Sequence, residues 1–134
     1  MAKALRTAQC GKQEARVRLA TARAYLDVAT TVLAEQSRDE FLSVAAGLAV
    51  LAGIAASDAI CCARLRCRHR GDDHRGAADL LKTAVPDGAK LSASFARLLD
   101  VKDEAHHGVI VVSPRKARSA VGWATGLVAG RLTK

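Results

Sequence analysis

Aromatic residues are almost missing from this chain. It has one Trp, one Tyr and two Phe in 134 positions, and only two prolines. Strands favour aromatic and β-branched side chains, so this scarcity argues against an all-β fold. Two further absences narrow the reading. No G-x-x-x-x-G-K-[ST] phosphate loop occurs, and no local motif suggests a Ser/His/Asp or Cys/His catalytic set, so no cofactor is expected. The opening segment MAKALRTAQCGKQEAR has a basic start but no continuous apolar stretch of the kind a secretory signal needs, which points to the cytoplasm.

Alanine is what the chain has in plenty, at 28 of 134 residues, and half of the sequence is hydrophobic. That supplies enough apolar surface to offset chain entropy, so disorder is excluded. The length suits one domain spanning residues 1–134, with 1–11 expected as a flexible N-terminus. From Lys12 to Gln36, Ala15, Leu19, Ala22, Leu26, Ala29 and Leu33 recur at spacings of four and three, which marks one helical stripe. Ser37 and Glu40 form an S-x-x-E capping box that starts a second helix, running to about Arg66. A third helix is expected from His74 to Val85, stopped by Pro86-Asp87-Gly88, and a fourth from Lys90 to Glu104. Val109–Val112 is too short to pair alone and is expected as an extended linker. Ser113-Pro114 then opens a fifth helix, with Ser as N-cap and Pro at the first helical position. The expectation is an all-α, up-and-down bundle of about five helices.

The uncharged run FLSVAAGLAVLAGIAAS (41–57) lies at the short end of what spans a bilayer, and Ala and Gly dominate it. Asp58 then interrupts it. A buried central helix is the better reading, with Gly47 and Gly53 letting neighbouring backbones approach, and no membrane partner is expected. Asp58 must find a partner or a polar crevice, because unpaired burial of an acid is costly. His74, His106, His107 or an arginine are candidates. Asp58 and His74 are therefore the buried-polar candidates.

Four cysteines, Cys10, Cys61, Cys62 and Cys67, read as reduced thiols rather than as a disulfide framework. A zinc site built from Cys62, Cys67, His69 and His74 is a weaker alternative, because the spacings miss the paired C-x2-C form.

Lys and Arg outnumber Asp and Glu by 21 to 13, a formal charge of +8. Such a surface attracts polyanions. Two basic clusters stand out as candidate phosphate contacts: Arg64, Arg66, Arg68, Arg70 and Arg75, and then Arg115, Lys116 and Arg118. No aromatic interleaves the first cluster, so base stacking is unsupported there. The stretch Lys102-Asp103-Glu104-Ala105-His106-His107 brings a cation and two imidazoles together. It suits either proton transfer beside a stabilised phosphate or simple capping of a helix C-terminus.

The order of parts resembles the HEPN superfamily of small α-helical domains. The resemblance rests on an Ala-rich second helix (LAVLAGIAASDAI), a polar loop with Asp73-His74, a leucine-rich helix ending in KDEAHHG, and a closing helix VSPRKARSAVGWATGLV. It covers the chain from about Lys12 onward. Members that cut RNA carry R-x4–6-H with a polar residue after the arginine, need no metal, and usually dimerise so that two motifs meet. The matching positions are Lys102, Asp103 and His107, with His106 as an alternate proton carrier. Lysine replaces the family's arginine, a point charge in place of a planar fork of donors. The resemblance implies a homodimer acting on RNA, as a metal-independent endoribonuclease or an RNA binder of a prokaryotic toxin–antitoxin or phage-defence pair. Its cognate partner would be a nucleotidyltransferase or an antitoxin. The alternative is a non-catalytic protein- or nucleotide-binding module with a degenerate motif.

Overall fold

The described residues form five helices and a two-stranded ribbon: β1 (Thr7–Gln9), α1 (Lys12–Ala34), α2 (Asp39–Leu65), β2 (Cys67–His69), α3 (His74–Ala84), α4 (Gly88–His107) and α5 (Pro114–Thr133). This computed structural model describes residues 6–35, 38–71, 74–107 and 112–133, leaving aside the side chains of 103–107 and 131–133. The all-α bundle expected from the apolar periodicity is the fold observed.

Helix α2 is the axis, and the other four helices all pack against it. Ala45, Ala46, Ala49, Ala52, Ala55, Ala56 and Ala59 are completely buried along its length. Small side chains explain how so many neighbours fit. At Gly53 an added Cβ would come within 2.5 Å of Leu98 on α4 and 3.4 Å of Leu127 on α5. Gly47 has no such role, because nothing lies within 4 Å of its would-be Cβ. α2 is long and apolar enough to cross a membrane, yet 67% of its most apolar window is buried inside the protein. It is a core helix of the bundle.

Phe95, Leu98 and Leu81 fill the space between α2, α3 and α4, and each is fully buried. Burying side chains of this size stabilises by about 1.5–3 kcal/mol apiece. The Pro86-Asp87-Gly88 stop is a tight turn: Gly88 N donates to Val85 O at 2.9 Å, and Leu91 N to Asp87 O at 3.1 Å. α4 therefore restarts at Gly88. Ser113 caps α5 as its position suggests, its Oγ accepting from Lys116 N at 3.1 Å. Val112, expected in a linker, is fully buried and pins that connection to the core. The Ser37 half of the expected capping box lies outside the described residues, as do 109–111 of the linker, and α2 begins at Asp39.

Two expectations are corrected around the N-terminal strand. Residues from Thr7 onward are ordered rather than flexible, since β1 pairs antiparallel with β2 in the register Thr7↔His69, Ala8↔Arg68, Gln9↔Cys67. Three-residue strands carry too little pattern to read from sequence, and this one is made by its partner. Cys10 and Cys62 are joined in a disulfide across 52 residues, with Cα atoms 5.3 Å apart, so the thiols are not all reduced. That bond also removes Cys62 as a thiolate, and with it the zinc set proposed for Cys62, Cys67, His69 and His74.

Candidate functional site

The ribbon creates a basic corner of the molecule. α2 ends at Leu65 because Arg66 adopts a left-handed conformation, φ 61°, which turns the chain into β2. Side-chain alternation along the strand then sends successive residues to opposite faces. Arg64, Arg66 and Arg70 are exposed, while Cys67, Arg68 and His69 are half-buried. Arg6, also exposed, joins them by accepting a hydrogen bond from Arg70 N at 2.9 Å through its carbonyl.

Beneath the ribbon, a crevice of about 450 Å³ opens between the first turns of α1 and β2, lined by Gln13, Glu14, Val17, Arg18, Asp58 and Arg68. Asp58 is its floor. Its side chain is 14% exposed and pairs with Arg18, which reaches Oδ2 through Nη2 at 3.0 Å and Nε at 3.2 Å. Of the partners suggested by sequence, an arginine is the one that pairs, and it comes from α1. Burial pushes the Asp58 carboxyl up from its ordinary value, and the positive charges of Arg18, Arg68 and His74 pull it part of the way back. At the mouth, Glu14 accepts from Gly11 N at 3.0 Å. Backbone N–H donors at the helix start hold its carboxylate below the usual range. Arg68 makes no salt bridge within 4.0 Å among the described residues, so its guanidinium is the available cation of this crevice.

Next to the crevice, His69 packs its ring over Gly76 of α3, where a Cβ would fall 2.6 Å from Cε1. Both its ring nitrogens are buried with no hydrogen-bond partner among the described residues.

Arg75 serves the fold. Its Nη2 meets Asp100 Oδ1 at 2.6 Å and its Nη1 reaches Ala96 O at 3.4 Å, which ties the start of α3 to α4. The contact falls two residues before Lys102, so the basic ribbon's connection and the Lys102 end of α4 are neighbours.

Lys102 is half-buried on α4. The helix continues through His107 rather than ending at Glu104, so Asp103, His106 and His107 all sit on its last turns. At about 100° per residue, His106 follows Lys102 on nearly the same face, while His107 is displaced by roughly 140°. Arg115 and Arg118 are exposed at the start of α5, with Lys116 half-buried beside them. Comparison with protein-family models, with curated proteins and with solved structures gave no match.

Of the residues that line the crevice, Asp58 and Arg68 stand out in the sequence, whereas Gln13, Glu14, Val17 and Arg18 do not. The arginine among the apolar repeats of α1 was the one legible sign, since Arg18 lies just beside the core stripe.

Proposed function

We propose that this protein is an RNA-directed helical domain of the HEPN kind, and that the ribbon corner holds the phosphate backbone. The observation that carries this reading is the gathering of Arg6, Arg64, Arg66 and Arg70 as exposed cations around the half-buried Arg68. Cations spaced along a short, exposed edge suit a single strand, whose backbone binds by release of counterions. Cleavage, where it occurs, belongs to the Lys102 end of α4, which the Arg75–Asp100 contact sets close to the ribbon's connection. There an imidazole moves the proton of the 2′-hydroxyl and Lys102 stabilises the phosphate's developing charge.

A homodimer in the prokaryotic cytoplasm, within a toxin–antitoxin or defence pair, completes the proposal. Exposed Val17 and Val28 on α1, with Phe41, Val44 and Leu51 on α2, supply apolar side chains through which two chains can meet.

The test is binding of a fluorescein-labelled single-stranded RNA 20-mer over a salt series. Replacing Arg66 and Arg70 with Ala should lower the slope of log K against log salt by about 1.4, at about 0.7 per lost phosphate contact. An unchanged slope refutes the ribbon as the phosphate site. The same RNA incubated in EDTA beside His106→Ala and His107→Ala separates a nuclease from a binder. Cleavage lost in either variant supports chemistry at α4, and intact RNA throughout supports binding alone.

The crevice favours a second reading, a nucleotide-binding module, since its volume lies within the range of small-molecule sites. Mononucleotide titration followed by chemical shifts at Gln13 and Val17 decides between them.

A further inference from the structure

All four cysteines fall where the ribbon meets α2. Cys10 is bonded to Cys62, Cys61 precedes Cys62 on the helix and is buried, and Cys67 opens β2 opposite Gln9. Cys10, Ala15 and Cys62 form a small apolar cluster of their own, with Ala63 against it, separate from the main core. The N-terminal strand is thus held by a three-residue ladder, this minor cluster, the hydrogen bonds Cys10 N to Arg66 O (3.0 Å) and Arg70 N to Arg6 O (2.9 Å), and the disulfide. A two-stranded ribbon is marginal in water by itself, so the covalent bond adds to what these contacts supply in keeping this one closed.

We propose that the Cys10–Cys62 disulfide is a redox latch on the anion-binding corner. Closed, it keeps Arg6 beside Arg70 and fixes the first turn of α1 against Arg68. Opened by a dithiol reductant, it frees residues 6–11 and weakens the hold on phosphate. This inference rests on the reading of that corner as an RNA site.

The exchange balances as follows. A thiolate of the reductant attacks Cys10 Sγ, the reachable sulfur, because Cys10 is 8% exposed and Cys62 is wholly buried. Cys62 leaves as a thiolate and takes up a proton. The reductant's second thiol then attacks its own sulfur in the mixed disulfide and releases Cys10, which is protonated in turn. The protein gains two electrons and two protons, and the reductant becomes a disulfide. Closure is the same path reversed, with an oxidised dithiol as the electron acceptor.

Neither remaining thiol is arranged to interfere. Burial, with Asp58 and Cys67 nearby, pushes Cys61 up to about 12, so it stays a protonated, inert thiol. Cys67 stands directly opposite Gln9, and residues directly opposite on a ladder face the same side, so Cys67 and Cys10 point to opposite faces. In the reducing compartment of the proposed function, such a disulfide would be transient and sensing rather than permanent. That agrees with a latch.

The test compares the full-length protein, oxidised and then treated with dithiothreitol at 15 °C, with far-UV circular dichroism recorded in both states. Amide hydrogen exchange is followed at residues 7–10 and 67–70, and affinity is measured for the labelled RNA 20-mer. Reduction should leave helicity unchanged, abolish protection along both strands, and weaken RNA binding about fivefold or more through lost preorganisation. Cys10→Ala/Cys62→Ala should behave as the reduced form in any buffer, and Cys61→Ala/Cys67→Ala should keep the full response. Loss of helicity on reduction overturns the proposal, since the bond is then a staple of the whole fold. Unchanged strand protection overturns it as well. Opened strands with equal RNA affinity overturn the gate and leave the RNA site standing. No RNA binding by either form removes the RNA reading itself, and the gate with it.

Discussion

Removing the disulfide has a cost that follows from where it sits in the chain. Cys10 and Cys62 are 52 residues apart, so the bond closes a long loop in the unfolded state. The loop-entropy relation gives about 14 cal/mol/K for a loop of that size, or about 4 kcal/mol at 25 °C. Unfolding entropy near 2.1 cal/mol/K per residue, taken over 134 residues, is about 0.28 kcal/mol/K. The double variant Cys10→Ala/Cys62→Ala should therefore melt about 14 °C below the oxidised wild type. Alanine is the right replacement, because Cys62 is fully buried and a serine hydroxyl there would add a desolvation cost of its own. Calorimetry with and without reductant is the assay. Reductant should lower the wild-type transition by a similar amount and leave the variant's transition where it is. A wild-type shift of under about 4 °C would refute the reasoning, since the unfolded chain would then gain little freedom from the open loop.

Two other perturbations follow from single contacts. Gly88→Ala should destabilise by about 1–3 kcal/mol, because its Cβ would overlap the Lys82 carbonyl, a backbone group that cannot rotate away. Gly122→Ala, with open space around it on α5, should instead be neutral or stabilising by up to about 1 kcal/mol. Equal melting shifts in the two variants would sink the argument. Asp58 gives a pH dependence of definite sign. Its folded pKa is raised, so between the ordinary value of 3.8 and that raised value the native state holds the extra proton. Stability due to this group therefore falls as pH rises through the window. Denaturant midpoints of the wild type, referred to Asp58→Asn at each pH, should decline from just below pH 4 upward; a difference that rises over this range contradicts the burial.

The bundle was legible because alanine and leucine repeat at helical spacing over whole elements. Ala15, Leu19, Ala22 and Ala29 were read as a stripe, and all four are buried. Ser113-Pro114 and Pro86-Asp87-Gly88 act through local stereochemistry, so they too could be read without tertiary information. The ribbon could not. Thr7–Gln9 and Cys67–His69 have no strand pattern of their own, and their pairing depends on α1 and α2 folding back to bring Gly11 and Arg66 together. The disulfide was misread for the same reason: proximity of Cys10 to Cys62 exists only after the α1–α2 hairpin forms. Asp58 shows what lies between. Its need for a partner was plain from a lone acid in an apolar helix, but choosing Arg18 required the crossing of two helices.

The phase of α4 constrains what its polar end can do. Because the helix runs on through His107, Lys102 and His107 do not stand over one another on it. Four residues separate Lys102 from His106, little more than one turn, and five separate it from His107, which rotates the latter roughly 140° away. On the proposed reading, Lys102 and His106 share a face of the helix and His107 does not. A proposed site that pairs Lys102 with His107 on one bond would draw the second group from another copy, for which the exposed apolar Val17, Val28, Phe41, Val44 and Leu51 offer a contact surface. The two histidine variants therefore discriminate between geometries. Cleavage lost with His106→Ala alone is chemistry within one chain, whereas cleavage lost with His107→Ala alone demands the dimer and should fall away on dilution below its dissociation constant.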